Sequence, residues 1–525
     1  MSLSEILNAL SENLPLSRQM SVTAWAADQE MMGQKVALFR QYKDGDHRSF
    51  LTPEMRRLLR LTNANFPNGG ANTMTEFNDN YCDVVVQTLA DRLQVTTIEA
   101  TAVKESETEK LQVWVDSVLE SNRFDGMQMD THDSTITDGN TYVMVSWDNP
   151  TDRYPEGRVC FTLEPAYDGD QGMIVLYREP GQLAAALKIW NVTSVGGQTA
   201  DSKRINIYYP DRVEKFIAKE GGTPAPYIDD GKRENVEKYV TVDGKPIGIP
   251  VVPFRNRRSK YHDFGISELE NAIPLQDALN RNLISVVMAT ELTAFQIRWA
   301  KGMKPPADVT PGMWVYFNLP DPTADAIEWL KAVEFGTLEQ GDVTPLLDAA
   351  RWLKQEISNT TRTPAPEFMG ADDSSGEALK QRESGLIGKA RRFHISGGNS
   401  WEDVIMLAHK VQTAFGKTKP PAYQRFYTRW RDPEIRNEKD EIELALKAAD
   451  RIGEEKFLEI FGKRYEWDAD TVQDIIDANQ KRSAEKFEQA QQQFNAFPQA
   501  KNGNGAGIEN GLARRTSEVS AMSIY

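Results

Sequence analysis

The feature that most constrains this chain is a pair of long amphipathic stretches between residues 265 and 360, separated by a Pro/Gly-rich interruption. In the first, Leu269, Ile273, Leu279, Leu283, Val286 and Val287 recur at helical spacing and predict a helix from Ser267 to about Ile297. Pro274 lies inside that span, where a missing backbone donor predicts a kink. Such a rod would extend roughly 45 Å at 1.5 Å per residue, long for a compact globule. The second stretch is expected to begin with Thr344 as its cap and Pro345 at the first helical position. Leu346, Ala350, Leu353 and Ile357 then share one narrow face, a seam that must be buried on something. Between the rods, residues 299 to 336 hold Gly302, Pro305, Pro306, Pro311, Gly312, Pro320 and Pro322 around a strand-like run containing Trp314, Tyr316 and Phe317. This punctuation predicts a small module carried at the far end of two rods.

Ahead of the rods, periodicity predicts helices over residues 24–41, 54–61, 78–93, 107–122 and 124–137, with a turn at 43–46 and a loop at 66–72. The period then changes to two. Strands are expected at 142–147, 158–163, 173–177, 184–190, 204–209 and 212–217, paired antiparallel because their connections are short. Residues 247–254 close this α+β body. Arg255, Arg257, Arg258 and Lys260 follow, as a solvated connector or as a contact with an acidic neighbour or phosphate. Behind the rods, Ser374 and Glu377 form a capping box for a helix reaching Phe393, with Gly397 and Gly398 beyond it and a separate helix from Trp401 to Phe415. Trp430-Arg431-Asp432-Pro433 marks a break before charged helices at 438–453, 455–461 and 469–494, and residues 495–525 are too poor in apolar side chains to be expected to fold.

Over 525 residues, 77 Asp and Glu outnumber 61 Lys and Arg, a net charge of -16. An ordinary duplex-binding surface needs a basic face, so this balance argues against one. It does not exclude a protein that surrounds DNA without holding it, since a like-charged wall repels the polyanion. Cys82 and Cys160 read as buried thiols of a reducing compartment. No stretch reaches 18 apolar residues and no basic segment precedes an apolar run near Met1, so neither membrane spanning nor secretion is expected.

Chemistry finds little support. The histidines are scattered, and Asp130-Thr131-His132-Asp133 reads as the polar side of a helix. Gly416-Lys417-Thr418 echoes a phosphate loop, but Val411 stands where that loop needs glycine. No catalytic residue, metal site or cofactor is expected. A rod pair without catalytic signature asks for partners, and copies packed side by side around an axis would bury the seam and leave no free flank.

The order of several stretches resembles the portal proteins, the head-to-tail connectors, of long-tailed double-stranded DNA bacteriophages. These stretches are Tyr42-Lys43-Asp44-Gly45, Asn80-Tyr81 through Leu93, Ile247 to Asn256, Gly265 to Leu269, Leu275 to Asn280, Ser375 to Leu379, and Trp430 to Pro433. The resemblance implies a multidomain α+β fold that forms rings of twelve. It implies a flexible arm (1–24), a mixed helical and antiparallel-sheet wing (25–264), a first stem helix (265–298), a small α/β clip (299–337), and a second stem helix (338–361). A tunnel loop (362–374), long wing helices (375–429), an all-helical crown (430–494) and a disordered tail (495–525) complete it.

The same resemblance implies a channel at one capsid vertex of the virion, through which double-stranded DNA is packaged and ejected. Its partners would be further copies of itself, the terminase large subunit, a head-completion or adaptor protein, and the major capsid and scaffolding proteins. Arg362, Thr363, Pro364, Pro366, Glu367, Phe368, Met369, Gly370, Asp372 and Asp373 would form the tunnel loop, with Arg362 touching phosphate or pairing with Glu367, Asp372 or Asp373. Glu268, Glu270, Asp277 and Asp348 are candidates for the acidic stem wall, and Trp314, Tyr316 and Phe317 for clip assembly. The competing readings are a structural or scaffold protein whose rods join a bundle without a DNA channel, and a nuclease with dispersed carboxylates.

Overall fold

The computed structural model describes residues 6, 22–48, 50, 79–179, 181–193, 199–219, 222–229, 233–241, 243–257, 264–294, 298–301, 314–317, 334–337, 342–364, 376–434, 475–478 and 481. They fall in two compact units that divide after Pro433. The architecture below is that of the first unit. The expected helix at 54–61, the loop at 66–72, the capping box at Ser374 and most of the helices after residue 434 lie outside the described residues.

Helix α1 (Val22–Lys43) runs into a turn, and α2 (Tyr81–Ala90) begins where Asn80 accepts from the Asp83 amide at 3.3 Å and donates to the Lys43 carbonyl at 2.8 Å. It is shorter than the expected 78–93 span. Strand β1 (Val95–Ala102) follows, then α3 (Thr108–Ser121) and α4 (Phe124–Asp138). Strands β2 (Asn140–Asp148), β3 (Arg158–Pro165) and, later, β10 (Val251–Arg255) make an antiparallel sheet in the order β10-β2-β3. Strands β4 (Gly172–Glu179), β5 (Gln182–Thr193), β6 (Thr199–Tyr208), β7 (Arg212–Lys219) and β8 (Ala225–Pro226) form an antiparallel meander, and β9 (Val236–Lys238), which pairs with β7, makes the sheet six-stranded. The mixed α+β body read from the changing hydrophobic period is therefore what the chain forms.

The rods differ from expectation at their ends. Helix α5 covers Ile273–Ala294, so Pro274 sits in its first turn instead of kinking its interior. The preceding residues are held elsewhere: the Ser267 hydroxyl donates to the Thr137 carbonyl at 2.6 Å and the Glu268 amide donates to the Ile136 carbonyl at 3.1 Å. Helix α6 spans Thr344–Thr361, with Thr344 already helical and its amide donating to the Asp342 carboxylate at 2.9 Å. The cap position expected for Thr344 is held by Val343, which makes no side-chain bond, and the carboxylate before it satisfies the first helical amide instead. Between the rods, β11 (Arg298–Lys301), β12 (Trp314–Phe317) and β13 (Glu334–Thr337) form a separate sheet, with β12 parallel and β13 antiparallel to β11.

Helix α7 (Gly376–Phe415) is continuous through Gly397 and Gly398, where two helices were expected. The glycines serve proximity. A Cβ on Gly398 would lie 3.1 Å from Trp430 Nε1, and the Gly398 carbonyl accepts from the Thr428 hydroxyl at 3.1 Å. Thr428 and Trp430 belong to β14 (Tyr423–Trp430), which pairs antiparallel with β1. Neither strand was expected. The other edge of β1 is closed by side chains: Gln128 exchanges two hydrogen bonds with Val95, and Gln112 takes the Ala100 amide and gives to the Ile98 carbonyl. The first core lies between this sheet, α3, β2 and the C-terminal half of α7 around the fully buried Trp401. Another gathers α1, α2, α5, α6 and the N-terminal half of α7, and a further one lies on the six-stranded sheet.

Candidate functional site at the base of the helix pair

Three seam residues of α6, Ala350, Leu353 and Ile357, are buried within this same chain among Leu269, Ala272, Leu279 and Leu386, while Leu346 is half-buried. Burial of the seam therefore does not require a neighbouring copy. The outward face of α6 instead presents Leu347 and Trp352, 41% and 62% exposed. Helix α5 is fixed at its base by amides: Gln276 takes the Tyr81 amide at 2.9 Å and gives to the Asp79 carbonyl at 2.7 Å, and Asn280 meets His47 Nδ1 at 2.8 Å. Lys354 of α6 reaches Asp79 at 3.4 Å. Both rods are thus held to the body at one end.

Where the rods meet the body, a single carboxylate collects the surrounding cations. Glu268 is 3% exposed, which corrects its expected place on a channel wall. Its Oε1 accepts from Asn256 Nδ2 at 3.0 Å and lies 2.9 Å from Arg257 Nε, and its Oε2 accepts from Lys389 Nζ. A buried carboxylate needs such partners to offset its lost hydration. Lys389 also donates to the Thr361 carbonyl at the end of α6. Burial holds its ammonium below the usual lysine range, opposed by the Glu268 charge. The four segments tied here are the exit of β10, the approach to α5, the end of α6 and α7. Of the roles expected for Arg257, a solvated connector or a contact with an acidic neighbour or phosphate, the structure shows an acidic partner within the chain: it pairs with Glu268 and donates to the Ser267 carbonyl at 2.8 Å.

Of the expected tunnel loop, Arg362, Thr363 and Pro364 are described. Arg362 ends α6 in the left-handed region at φ 55° with its side chain exposed. Thr363 and Pro364 are buried, and the Ser358 hydroxyl donates to the Thr363 carbonyl at 2.7 Å. These two residues are thus fixed to the body. Pro366, Glu367, Phe368, Met369, Gly370, Asp372 and Asp373 lie outside the described residues. Glu270 is exposed and paired with Lys35 at 3.1 Å, and Asp348 is exposed beside Arg351 at 3.2 Å. Asp277, half-buried, accepts from the Tyr42 hydroxyl and is turned inward. Trp314, Tyr316 and Phe317 lie on β12, whose backbone pairs with Arg298, Ala300 and Lys301 of β11.

Lys389 and Asn256 were not singled out by sequence reasoning, although Lys389, three residues after Leu386 and four before Phe393, falls on the inward stripe of its helix. His132 also faces inward instead of lining a polar surface, for Gln128, Thr131 and Thr135 of α4 are buried with it. Among the described residues no group of three His, Cys, Asp or Glu could hold a metal ion, and no helix is long and apolar enough to cross a membrane.

Comparison with known proteins gives a family. The family described as phage portal protein, SPP1 Gp6-like, matches residues 68–493. The portal protein of Mycobacterium phage L5 is 26% identical over 343 residues, which cover 61% of this chain and 68% of that protein. The portal protein of Mycobacterium phage D29 is 29% identical over 192 residues, covering 35% of this chain and 39% of that relative.

Proposed function

Because the chain belongs to the SPP1 Gp6-like family of phage portal proteins, we propose that copies of it form a dodecameric ring at one capsid vertex, with α5 and α6 as the stem around a channel for double-stranded DNA. The observation that carries this reading is the placement of β11, β12 and β13: the chain leaves the body along one rod, builds a separate sheet, and returns along the other. In this reading residues 299–337 are the clip that receives the terminase motor and then the head-completion protein. Residues 25–264 and 375–429 form the wing that meets capsid and scaffolding proteins, 362–374 the tunnel loop, 430–494 the crown and 495–525 a tail. Since the α6 seam is buried within its own chain, lateral packing of neighbouring stems falls to outward residues such as Leu347 and Trp352.

Charge supports the same reading. A duplex carries about one negative charge per 1.7 Å of axis, so weak adhesion repeated on every subunit would stall translocation. A chain of net charge -16 disfavours that adhesion. Exposed Asp348 is the stem carboxylate best placed to contribute, whereas Glu268 serves the junction. Packaging energy comes from the partner motor, and the role of this protein is structural.

Electron microscopy of the purified protein along its symmetry axis tests the proposal. Rings with an axial opening wide enough for a duplex and the α5–α6 pair around it are expected. Rods placed on the outside of the particle, away from any central opening, would overturn it.

A further inference from the structure

Helix α3 and the two-stranded sheet β1–β14 form a layer whose two outer surfaces carry opposite charge. Leu111, Val115 and Val118 of α3 are buried together with Ile98 and Ala100 of β1 and Phe426 of β14, so the helix covers one face of the sheet. On the opposite side of α3, Glu109, Val113, Asp116 and Glu120 follow at helical spacing, and all four are exposed. On the opposite face of the sheet, exposed Arg425, Tyr427 and Arg429 stand across from Thr101, Glu99 and Thr97.

The two surfaces match in length and in pattern. The helical stripe spans roughly 16 Å and the strand ribbon roughly 14 Å. In the ribbon, the guanidiniums of Arg425 and Arg429 lie 4.9 and 4.5 Å from the Tyr427 ring. In the stripe, Val113, 64% exposed, sits between carboxylates. Each patch is therefore an apolar centre with a charged rim, and the rims have opposite sign. Arg429 has an exposed partner in Glu99 at 2.9 Å, whereas Arg425 has no carboxylate partner among the described residues.

We propose that the Arg425–Tyr427–Arg429 ribbon of one subunit docks on the Glu109–Val113–Asp116–Glu120 stripe of the next copy of this chain. The inference rests on the ring reading above. Because the patches face opposite directions from one layer, the contact is head to tail, the kind that closes into a ring. Local complementarity also offsets the repulsion between copies that each carry a net charge of -16. Duplex DNA is the weaker fit, since Glu99 already answers one of the ribbon's two cations and phosphate binding needs several free ones.

Two charge-reversed chains test the contact: Arg425→Glu/Arg429→Glu, and Glu109→Arg/Asp116→Arg. Each alone is expected to lose rings by native mass spectrometry and electron microscopy. An equimolar mixture is expected to form rings of alternating subunits, because each reversed patch then meets a complementary one. The milder Arg425→Ala and Glu109→Ala, at exposed positions, are expected to raise the concentration needed for assembly about tenfold. An unaltered chain that stays monomeric overturns the ring reading and this contact together. Rings from the unaltered chain and from both reversed chains separately overturn the contact alone. Intact rings with loss of binding to a duplex fragment when Arg425 and Arg429 are reversed would make the ribbon a DNA contact and overturn it as well.

Discussion

The indole Nε1–H of Trp401 donates to Nε2 of His132 at 3.0 Å, and Nδ1 of the same ring donates to the Leu93 carbonyl at 2.8 Å. This pairing requires the neutral imidazole, with its proton on Nδ1. Protonation would set two donors against each other in the core that joins α4 to α7.

Burial pushes His132 down to about 3, partly opposed by its bond to Leu93. The unfolded chain takes up that proton near pH 6.5 and the folded chain does not. The contribution is therefore fully present above pH 6.5 and is lost as pH falls toward 3, with a slope approaching 1.4 kcal/mol per pH unit, about one proton's worth. His394 and His409, also lowered by burial, add to the same trend. Urea unfolding of His132→Gln between pH 4 and 7 is expected to show a shallower dependence than the unaltered protein, and equal slopes would remove His132 as a cause.

At the junction, Lys389→Met leaves Glu268 buried with Arg257 as its remaining cation. A loss of about 3 kcal/mol is expected in denaturant titration, since stranding one member of a buried pair costs more than removing both. The double change Glu268→Leu/Lys389→Met should therefore cost less than the sum of the two single changes. Strict additivity would show that the two side chains do not act together.

A Cβ on Gly265 would stand 2.1 Å from the Gly139 carbonyl oxygen and 2.6 Å from that of Asn256, both backbone atoms. Gly265→Ala is expected to destabilise by about 3 kcal/mol, because the backbones must separate. Gly126→Ala, on an exposed position of α4 where a Cβ meets nothing within 4 Å, should instead stabilise by up to about 1 kcal/mol. Thermal denaturation of the two variants compares a blocked site with an open one in one protein.

Removing residues 366–373 while keeping the anchors Thr363 and Pro364 is expected to leave ring assembly intact and to impair DNA packaging or retention. Measuring genome content in heads assembled with the shortened protein decides the matter. Normally filled and stable heads would count against a tunnel-loop role for this segment.

The parts of the fold legible in the sequence were those where burial follows hydrophobicity. Val143 and Val145, Ile205 and Ile207, and Ala350, Leu353 and Ile357 are buried in the positions their spacing marks. Legibility failed where polar groups are buried against one another. Thr428 interrupts the apolar face of β14 because its hydroxyl is satisfied by Gly398, and α4 hides Gln128, Thr131 and His132 because backbone and indole groups await them. Glu268 read as a surface carboxylate for the same reason: Lys389 lies 121 positions later, and only the fold brings its ammonium into place. Gly397 and Gly398 looked like a stop because their role, admitting a strand against a helix, is tertiary.

The pairing of β1 with β14 joins backbone separated by as many as 335 positions, as between Val95 and Trp430. During synthesis, β1 leaves the ribosome long before its partner exists, and contacts of such separation form late. The glutamines on its outer edge, from α3 and α4, can occupy that edge early, while the inner edge must wait for nearly the whole of the first unit to be translated. A nascent chain arrested before residue 423 should therefore carry one unpaired strand edge, the natural handle for a chaperone and the first place for such a fragment to aggregate.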